Sequence, residues 1–396
     1  MSALLSTLCP EPEEFIALRR EVHSNPELSF KEHRTSDLVA ERLAQWGYQV
    51  ERGLGGTGVV GQIRRGTGKR HIGIRADMDA LPIHEESGYA WVSKIKGVMH
   101  ACGHDGHTAM LLAAAKSLAQ DASLDGTVSL VFQPAEEYGT AQSGAVRMME
   151  DGLFEKYPVD AIFAMHNAPG VPQGVLGFRH GPALASSDKA LIRVKGRGGH
   201  AAMPQHTADP VVAASSIVMA LQTAVSRNVD PLLPAVVTVG SIHGGDAFNV
   251  IPQEVTLKLS IRALEPAVRD LLEERVRTIV SHQAMCYGME AEIEYERGYA
   301  ALVNTREETD FARQVGLELL GPERVMLDFP PVTGSEDFAF MLEKKPGCYL
   351  MIGNGAAGTP GACSVHNPKF DFNDDNIAVG GAFWTLLAKR FLAASA

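Results

Sequence analysis

Apolar residues recur at helical spacing between positions 13 and 46, at Phe15, Leu18 and Val22 and again at Leu38, Val39, Leu43 and Trp46, with Asn25-Pro26 between the two sets. Two helices and a turn are expected. The period then shortens. Residues 48–50, 58–63 and 71–76 are brief apolar or alternating runs between glycines, which is strand behaviour. An apolar helical segment at 108–118, a strand-like run at 126–132, a further helix and another strand-like run at 159–165 follow. Strands alternating with helices predict an α/β domain whose mainly parallel sheet is flanked by helices. From 187 to 297 the order changes to β (189–194), α (209–225), β (235–242), β (254–262), α (266–287), β (290–295), an inserted α+β domain of ferredoxin-like arrangement. Residues 327–337, 348–352 and 365–371 resume the first domain, and 376–392 closes it as an amphipathic helix. The expected domains are therefore 1–186 with 298–396, and 187–297.

Length supports that division, since 396 residues exceed one ordinary core. No run approaches the roughly 18 apolar residues of a membrane helix. The first fifteen residues carry Pro10, Pro12 and glutamates rather than a basic and apolar signal, so a cytoplasmic protein without membrane contact is expected. Cysteines at 9, 102, 286, 348 and 363 are odd in number and scattered, which leaves at least one free as ligand or nucleophile. A formal charge of -11 argues against nucleic acid as partner, and an anionic substrate would need a local positive site.

The chemistry concentrates in Met99-His100-Ala101-Cys102-Gly103-His104-Asp105-Gly106-His107, where one thiol, three imidazoles and one carboxylate share a bend rich in glycine. A solvated polar loop capping a helix is the plainer alternative. Other strand ends supply matching groups: Asp77 and Asp79 after 73–76, Glu136 and Glu137 after Gln133-Pro134-Ala135, His166 after 159–165, and His366 late in the chain. Imidazoles, a carboxylate ligand, a bridging anion and a spare carboxylate base are what a metal pair needs. Cys102 could bridge, because a thiolate has several lone pairs. Cys102 and His104 converge only if the backbone between them is not helical, which the glycines permit. His107 reads as a cap, a core histidine or a support. Glu136 and Glu137 suit a division into one ligand and one base. Zinc is favoured by thiolate and imidazole, while the carboxylates admit manganese, cobalt or nickel.

Two decoys fall away. Gly53-Leu54-Gly55-Gly56-Thr57-Gly58 matches a dinucleotide fingerprint, but a strand-like run follows where a helix is required, so a hairpin is expected. No G-x-S-x-G serine elbow occurs. A Cys102 nucleophile paired with His104 would leave Glu136, Glu137, His166 and His366 unexplained.

Taken together, 75–82, 99–107, Phe132-Gln-Pro-Ala-Glu-Glu137, Met165-His166, Gly196-Arg-Gly-Gly-His-Ala201, Asn249-Val-Ile-Pro252, Gly334-Ser-Glu-Asp-Phe338 and Val365-His366-Asn367 resemble the aminoacylase, hippurate hydrolase and auxin-conjugate amidohydrolase branch of the dinuclear metallopeptidase superfamily. The resemblance implies two divalent metal ions, with Cys102 bridging, His104 and His166 completing one site, and Glu137 and His366 the other. It implies Glu136 as general base toward a metal-activated water, and Asp79 as the carboxylate that orients the site. The wider superfamily has a histidine ligand and a bridging aspartate where this chain has Asp77 and Cys102, which places it in the cysteine-bearing branch. His200 resembles a lid histidine that reaches a neighbouring subunit's active site, so the inserted domain would serve as lid and as the contact of a homodimer or dimer of dimers. Asn249 and Arg262, in the same domain, could take the substrate's free carboxylate. The implied activity is hydrolysis of N-acyl or N-aroyl amino acids, with a dipeptidase as the alternative.

Overall fold

Strand β3 (His71–Asp77) is buried at every residue, and so is β4 (Gly126–Gln133) beside it, the signature of parallel strands covered on both faces. The computed structural model describes residues 3–394. Met1, Ser2, Ser395 and Ala396, which the sequence assigns to the first domain, lie outside the described residues. The chain forms two compact units, one running up to Gly181 and including Val303–Pro330 and the stretch from Asp337 onward, the other comprising Pro182–Leu302 with Pro331–Glu336.

In the first unit an eight-stranded sheet has the order β1 (Gln49–Leu54), β2 (Gly58–Arg65), β4, β3, β5 (Ala161–Gly170), Gly347–Ala356, Leu176–Gly177 and Val325–Met326. The central β4, β3, β5 and Gly347–Ala356 are mutually parallel. β1 and β2 are an antiparallel hairpin in which Leu54 pairs with Gly58, so the glycine-rich stretch closes a turn and holds no helix N-terminus. Because the central strands are parallel, their carboxyl ends share one edge. Asp77 there pairs with Gln133, and the β3–β5 register carries His166 alongside Asp77, each two residues past the pair Arg75 and Ala164.

Helix His104–Gln120 starts at that edge and is buried without a break from His104 to Ala115. Helix Asn376–Ala393 crosses it where Gly380 faces Met110, a spot so close that a Cβ at 380 would lie 2.0 Å from the methionine sulfur. This last helix differs from the amphipathic one expected. It is buried from Asn376 to Ala388, because its polar positions are small or satisfied internally: the Thr385 hydroxyl donates to the Gly381 carbonyl and Asn376 Nδ2 to the Gly353 carbonyl. A six-residue helix, Ala3–Leu8, was too short to show a period.

The second unit has its own core of Ile192, Val194, Ile217, Leu221, Leu257, Leu272 and Val276. Its main sheet has four antiparallel strands in the order Ala235–His243, Glu254–Ala263, Asp188–Lys195, Glu290–Arg297, and its α-helices are Pro210–Ser226 and Pro266–Cys286. Asp209 caps the first of these, its side chain accepting the Val211 amide at 2.9 Å, with Pro210 in the first turn. Val332 belongs here because its amide donates to Ala183 and its carbonyl accepts from Ala185.

Candidate metal centre

The approach to the centre is set by Gly103, whose φ of +94° lets the chain turn from Cys102 into the helix at His104. A side chain there has no room either, since a Cβ would lie 2.2 Å from Asn167 Oδ1. Asn167 completes the clamp by donating Nδ2–H to the Cys102 carbonyl at 3.0 Å.

Cys102 Sγ lies 3.3 Å from His166 Nε2, and with His104 these three place ligand atoms within 4.8 Å of one another. Both imidazoles are oriented through the other nitrogen. His166 Nδ1 donates to the Asn167 carbonyl at 2.8 Å and His104 Nδ1 to Asp79 Oδ1 at 3.3 Å, which leaves each Nε2 as the nitrogen not tied to these partners. His104 Nε2 is buried without a hydrogen-bond partner, as befits a ligand atom facing a cation site. On the other side His366 Nε2 meets Glu137 Oε1 at 3.0 Å, and Cys102, Glu137 and His366 form a second group within the same span. His366 is held there by its amide, which donates to the Ala101 carbonyl at 2.7 Å, and by a left-handed backbone with φ of +63°. Cys102 is thus common to two donor sets. Glu136 stands beside them, its Oε2 4.0 Å from His104 Nε2.

Asp79 ties these parts together. Its Oδ1 takes the Glu136 amide at 3.1 Å as well as His104, and its Oδ2 takes the Glu137 amide at 3.0 Å and the Ser29 hydroxyl at 2.6 Å. Asp77 and His107, by contrast, are spent on each other at 2.7 Å. Asp77 also accepts Arg75 at 2.7 Å, and His107 Nε2 accepts the Asn167 amide at 3.1 Å, which leaves the imidazole no lone pair for a metal. Asp105 turns away to His23 Nδ1 (2.8 Å) and Arg19 (3.2 Å), pinning the metal-facing bend to helix Pro12–Ser24. His100 is buried, and burial pushes its pKa down to about 4.

The field inside is negative. Burial, reinforced by Glu137, Glu136 and Asp77, drives the Cys102 thiol well above its ordinary pKa. Burial keeps His166 neutral, with His107 acting in the same sense. Burial opposes charge on His104 too, but Asp77 and Asp79 outweigh it and raise its pKa to about 10. Carboxylates, neutral imidazole nitrogen and a thiol that only a cation would ionise are a donor set that fits divalent metal. Thiolate and carboxylate together exclude neither zinc nor manganese.

His200, Asn249 and Arg262 lie in the second unit. His200 lies on a short two-stranded ribbon, Gly199–His200 against Val250–Ile251, and Asn249 directly precedes its second strand, where the Ala201 amide donates to the Asn249 carbonyl at 3.0 Å. His200 is exposed, and its Nδ1 accepts the Ala202 amide at 3.0 Å, which leaves Nε2 for an external partner. Arg262 is half-buried on strand Glu254–Ala263 and donates to Ser335 at 3.0 Å. Ser29, Glu32 and Asn167 were not singled out by sequence reasoning, because hydroxyl, carboxylate and amide groups in loops acquire roles only through distant partners.

The sequence pattern of peptidase family M20/M25/M40 matches residues 73–390. The chain belongs to this family. Among curated relatives it is 42% identical over 379 residues to "Hippurate hydrolase" of Campylobacter jejuni, covering 96% of this chain and 97% of that one. It is 42% identical over 390 residues to "IAA-amino acid hydrolase ILR1-like 2" of Arabidopsis thaliana, covering 96% of this chain and 86% of the relative. A solved Bacillus subtilis structure described as a dinuclear metal binding peptidase from the M20 family superposes with a TM-score of 0.85 at 32% identity, over 98% of this chain and 99% of that one. The mainly parallel sheet with flanking helices is the architecture that such M20 structures share. Among the described residues no helix is long and apolar enough to cross a membrane.

Proposed function

We propose that this M20 enzyme is a metal-dependent amidohydrolase that cleaves the amide bond of N-acyl or N-aroyl amino acids. The observation that carries the chemistry is Cys102 standing in two donor sets at once, with His104 and His166 on one side and Glu137 and His366 on the other. Two divalent ions held there, zinc or manganese with cobalt and nickel admissible, would supply Lewis acidity toward the scissile carbonyl and make a nearby water acidic. Glu136 holds a carboxylate beside that position, where it would accept the water's proton and deliver it to the leaving amine. Asp79 fixes His104 and the Glu136-Glu137 turn. His200 is our candidate donor to the developing oxyanion, supported by its exposed, outward Nε2. Asn249, beside the same ribbon, and Arg262, whose guanidinium loses water by burial, are candidates for the substrate carboxylate.

We further propose association of the second unit with a second copy. Its edge strand Ala235–His243 exposes Val236 and Ile242, and helix Pro210–Ser226 exposes Val212 and Met219, the last at 73%. Light scattering should return a dimer or dimer of dimers. All five cysteines are free, which supports the cytoplasm as compartment.

The substrate class is tested by turnover of hippurate, N-acetyl-L-methionine and Gly-Met by one preparation, before and after adding Zn²⁺ or Mn²⁺. Cleavage of the two acylated amino acids is expected. Cleavage confined to Gly-Met would establish a dipeptidase instead. The relatives, named for acylated amino acids, do not favour that alternative.

A further inference from the structure

Besides His366, two residues other than glycine near the centre have left-handed backbones, Phe30 at φ +62° and Ala135 at φ +52°. Side chains with a Cβ resist this region, so something must hold them. Both amides donate to the same atom, Glu32 Oε1, from Phe30 at 3.0 Å and from Ala135 at 2.8 Å. The other oxygen, Oε2, accepts the Thr57 hydroxyl at 2.5 Å. Glu32 is completely buried and heads helix His33–Gln45, yet its carboxylate reaches away from that helix to a turn about a hundred residues later.

That turn carries the chemistry. Ala135 is followed directly by Glu136 and Glu137, which continue as a single 3-10 turn to Tyr138. Three successive amides therefore point at two carboxylates: Ala135 at Glu32, and Glu136 and Glu137 at Asp79. A left-handed residue before right-handed ones makes successive N–H groups converge, the concave arrangement that receives anions. Here the anions are fixed side chains, so the arrangement sets the turn's geometry. Asp79 anchors the peptides of Glu136 and Glu137, but the direction from which the chain enters them is the φ of Ala135. Among the described residues, Glu32 is the acceptor for the amide on which that angle depends, while the Ala135 carbonyl takes the Gly144 amide at 3.1 Å.

We infer that Glu32 is a positioning residue for the proposed base and ligand: by taking the Ala135 amide it keeps Ala135 left-handed and so aims Glu136 and Glu137 at the metal centre. The inference rests on the roles proposed above for Glu136 and Glu137. Phe30 on the same oxygen extends the link to Ser29, which donates to Asp79, so one buried carboxylate braces both sides of the turn.

The test uses full-length protein, hippurate as substrate and Zn²⁺ as the metal. Glu32→Met fills the space without an acceptor, and Glu32→Gln keeps one oxygen for the two amides. Ala135→Gly is added to Glu32→Met, because glycine adopts the left-handed region unaided. Glu32→Met should lower kcat about 100-fold, with KM within about threefold, since misplacement by roughly an ångström costs that much. The second equivalent of Zn²⁺, the one held by Glu137 and His366, should bind at least about tenfold more weakly in equilibrium dialysis. Glu32→Gln should stay within about tenfold of wild type, and Ala135→Gly should restore at least about tenfold of the kcat lost in Glu32→Met. A structural role alone would not be rescued from residue 135. Wild-type kcat and Zn²⁺ binding in Glu32→Met, or no recovery in the double variant, would overturn the inference. Should Glu32→Met not fold, Ala135→Val tests the same angle from the other end, and undiminished kcat there overturns it. Glu136→Gln runs alongside: if that variant turns over normally the base assignment fails, whereas an inactive Glu136→Gln with an unimpaired Glu32→Met removes the Glu32 inference alone.

Discussion

Asp79 accepts the Nδ1–H of His104 at 3.3 Å with the oxygen that also receives the Glu136 amide, so one carboxylate orients His104 and the turn that carries Glu136 together. Asparagine at 79 would turn an amide NH₂ toward donors already present, the Glu137 amide or the Ser29 hydroxyl. Asp79→Asn is expected to weaken metal binding about 10- to 100-fold and kcat/KM to a similar degree. Metal per chain after dialysis against buffered Zn²⁺, measured with steady-state kinetics, checks both. Full metal occupancy with native kinetics would show that the contact is incidental.

Glu136 Oε2 stands 4.0 Å from His104 Nε2, grouped with His104 and Glu137. Replacing it by glutamine removes proton acceptance and keeps shape. Glu136→Gln is expected to retain metal and thermal stability and to lose about 10²- to 10⁴-fold in kcat. Near-native turnover in that variant, with metal content verified, would remove Glu136 as the base.

Much of this centre was legible in the sequence because thiol, imidazole and carboxylate groups are seldom packed so densely without a cation, and because Asp77, Glu136 and His166 follow runs that read as strands. The six alternating elements of the second unit were legible for the same reason, their periods being clean. What could not be read was which neighbour each group would face. In the sequence His107 reads as a cap, a core histidine or a support and Asp77 has no assigned role, and only the fold shows the two closed on each other. β5 continues four residues beyond His166 because the strand Gly347–Ala356 pairs with it, a partner nearly two hundred residues away. Glu32 gave no local signal, since its role lies in two distant amides. The final helix misled through Thr385 and Asn376, polar residues that satisfy themselves inside.

Gly103 is the position where the backbone leaves least freedom. Alanine there must adopt φ near +94° and place a Cβ 2.2 Å from Asn167 Oδ1, so either the bend or the asparagine clamp gives way. Gly103→Ala is expected to cost about 2 to 4 kcal/mol, from left-handed strain plus overpacking. Denaturant unfolding of the chelated protein measures it. The same variant should bind Zn²⁺ more weakly, since Cys102 and His104 flank the glycine.

Two buried histidines should shape stability against pH in opposite senses. Burial opposes charge on His23, but Asp105 and Glu85 outweigh it and raise its pKa from 6.5 to about 9. The folded state holds that proton more tightly than the unfolded chain, so the contribution is complete below pH 6.5 and disappears as pH rises through about 9. Burial lowers His71 from 6.5 to about 4, so between those values the unfolded chain takes a proton that the folded one refuses, and stability declines as pH falls. Urea unfolding of chelated protein across this range should show both limbs. His23→Gln should flatten the alkaline limb and His71→Gln the acid limb. A limb that keeps its slope in the matching variant has another origin.

Cys102 supplies the last test, because its surroundings oppose the charge that a ligand must carry. Burial and the carboxylates of Glu137, Glu136 and Asp77 hold the thiol protonated well above its ordinary range. A divalent ion can be gripped by this sulfur only if the proton leaves, so binding and deprotonation must be linked. The proton released from Cys102 contributes about a tenfold rise in affinity per pH unit while the thiol's free pKa stays above the working pH, and His104, raised to about 10, adds its own. Calorimetric titration of chelated protein with Zn²⁺ in buffers of different ionisation enthalpy counts the protons directly. Cys102→Ser should abolish that released proton and weaken both equivalents, since the side chain belongs to both donor sets. A cysteine nucleophile gives the opposite pattern: hydrolysis untouched by chelators and stopped by alkylation of the thiol. Loss of only one equivalent in Cys102→Ser would show that the sulfur belongs to a single site and does not bridge two.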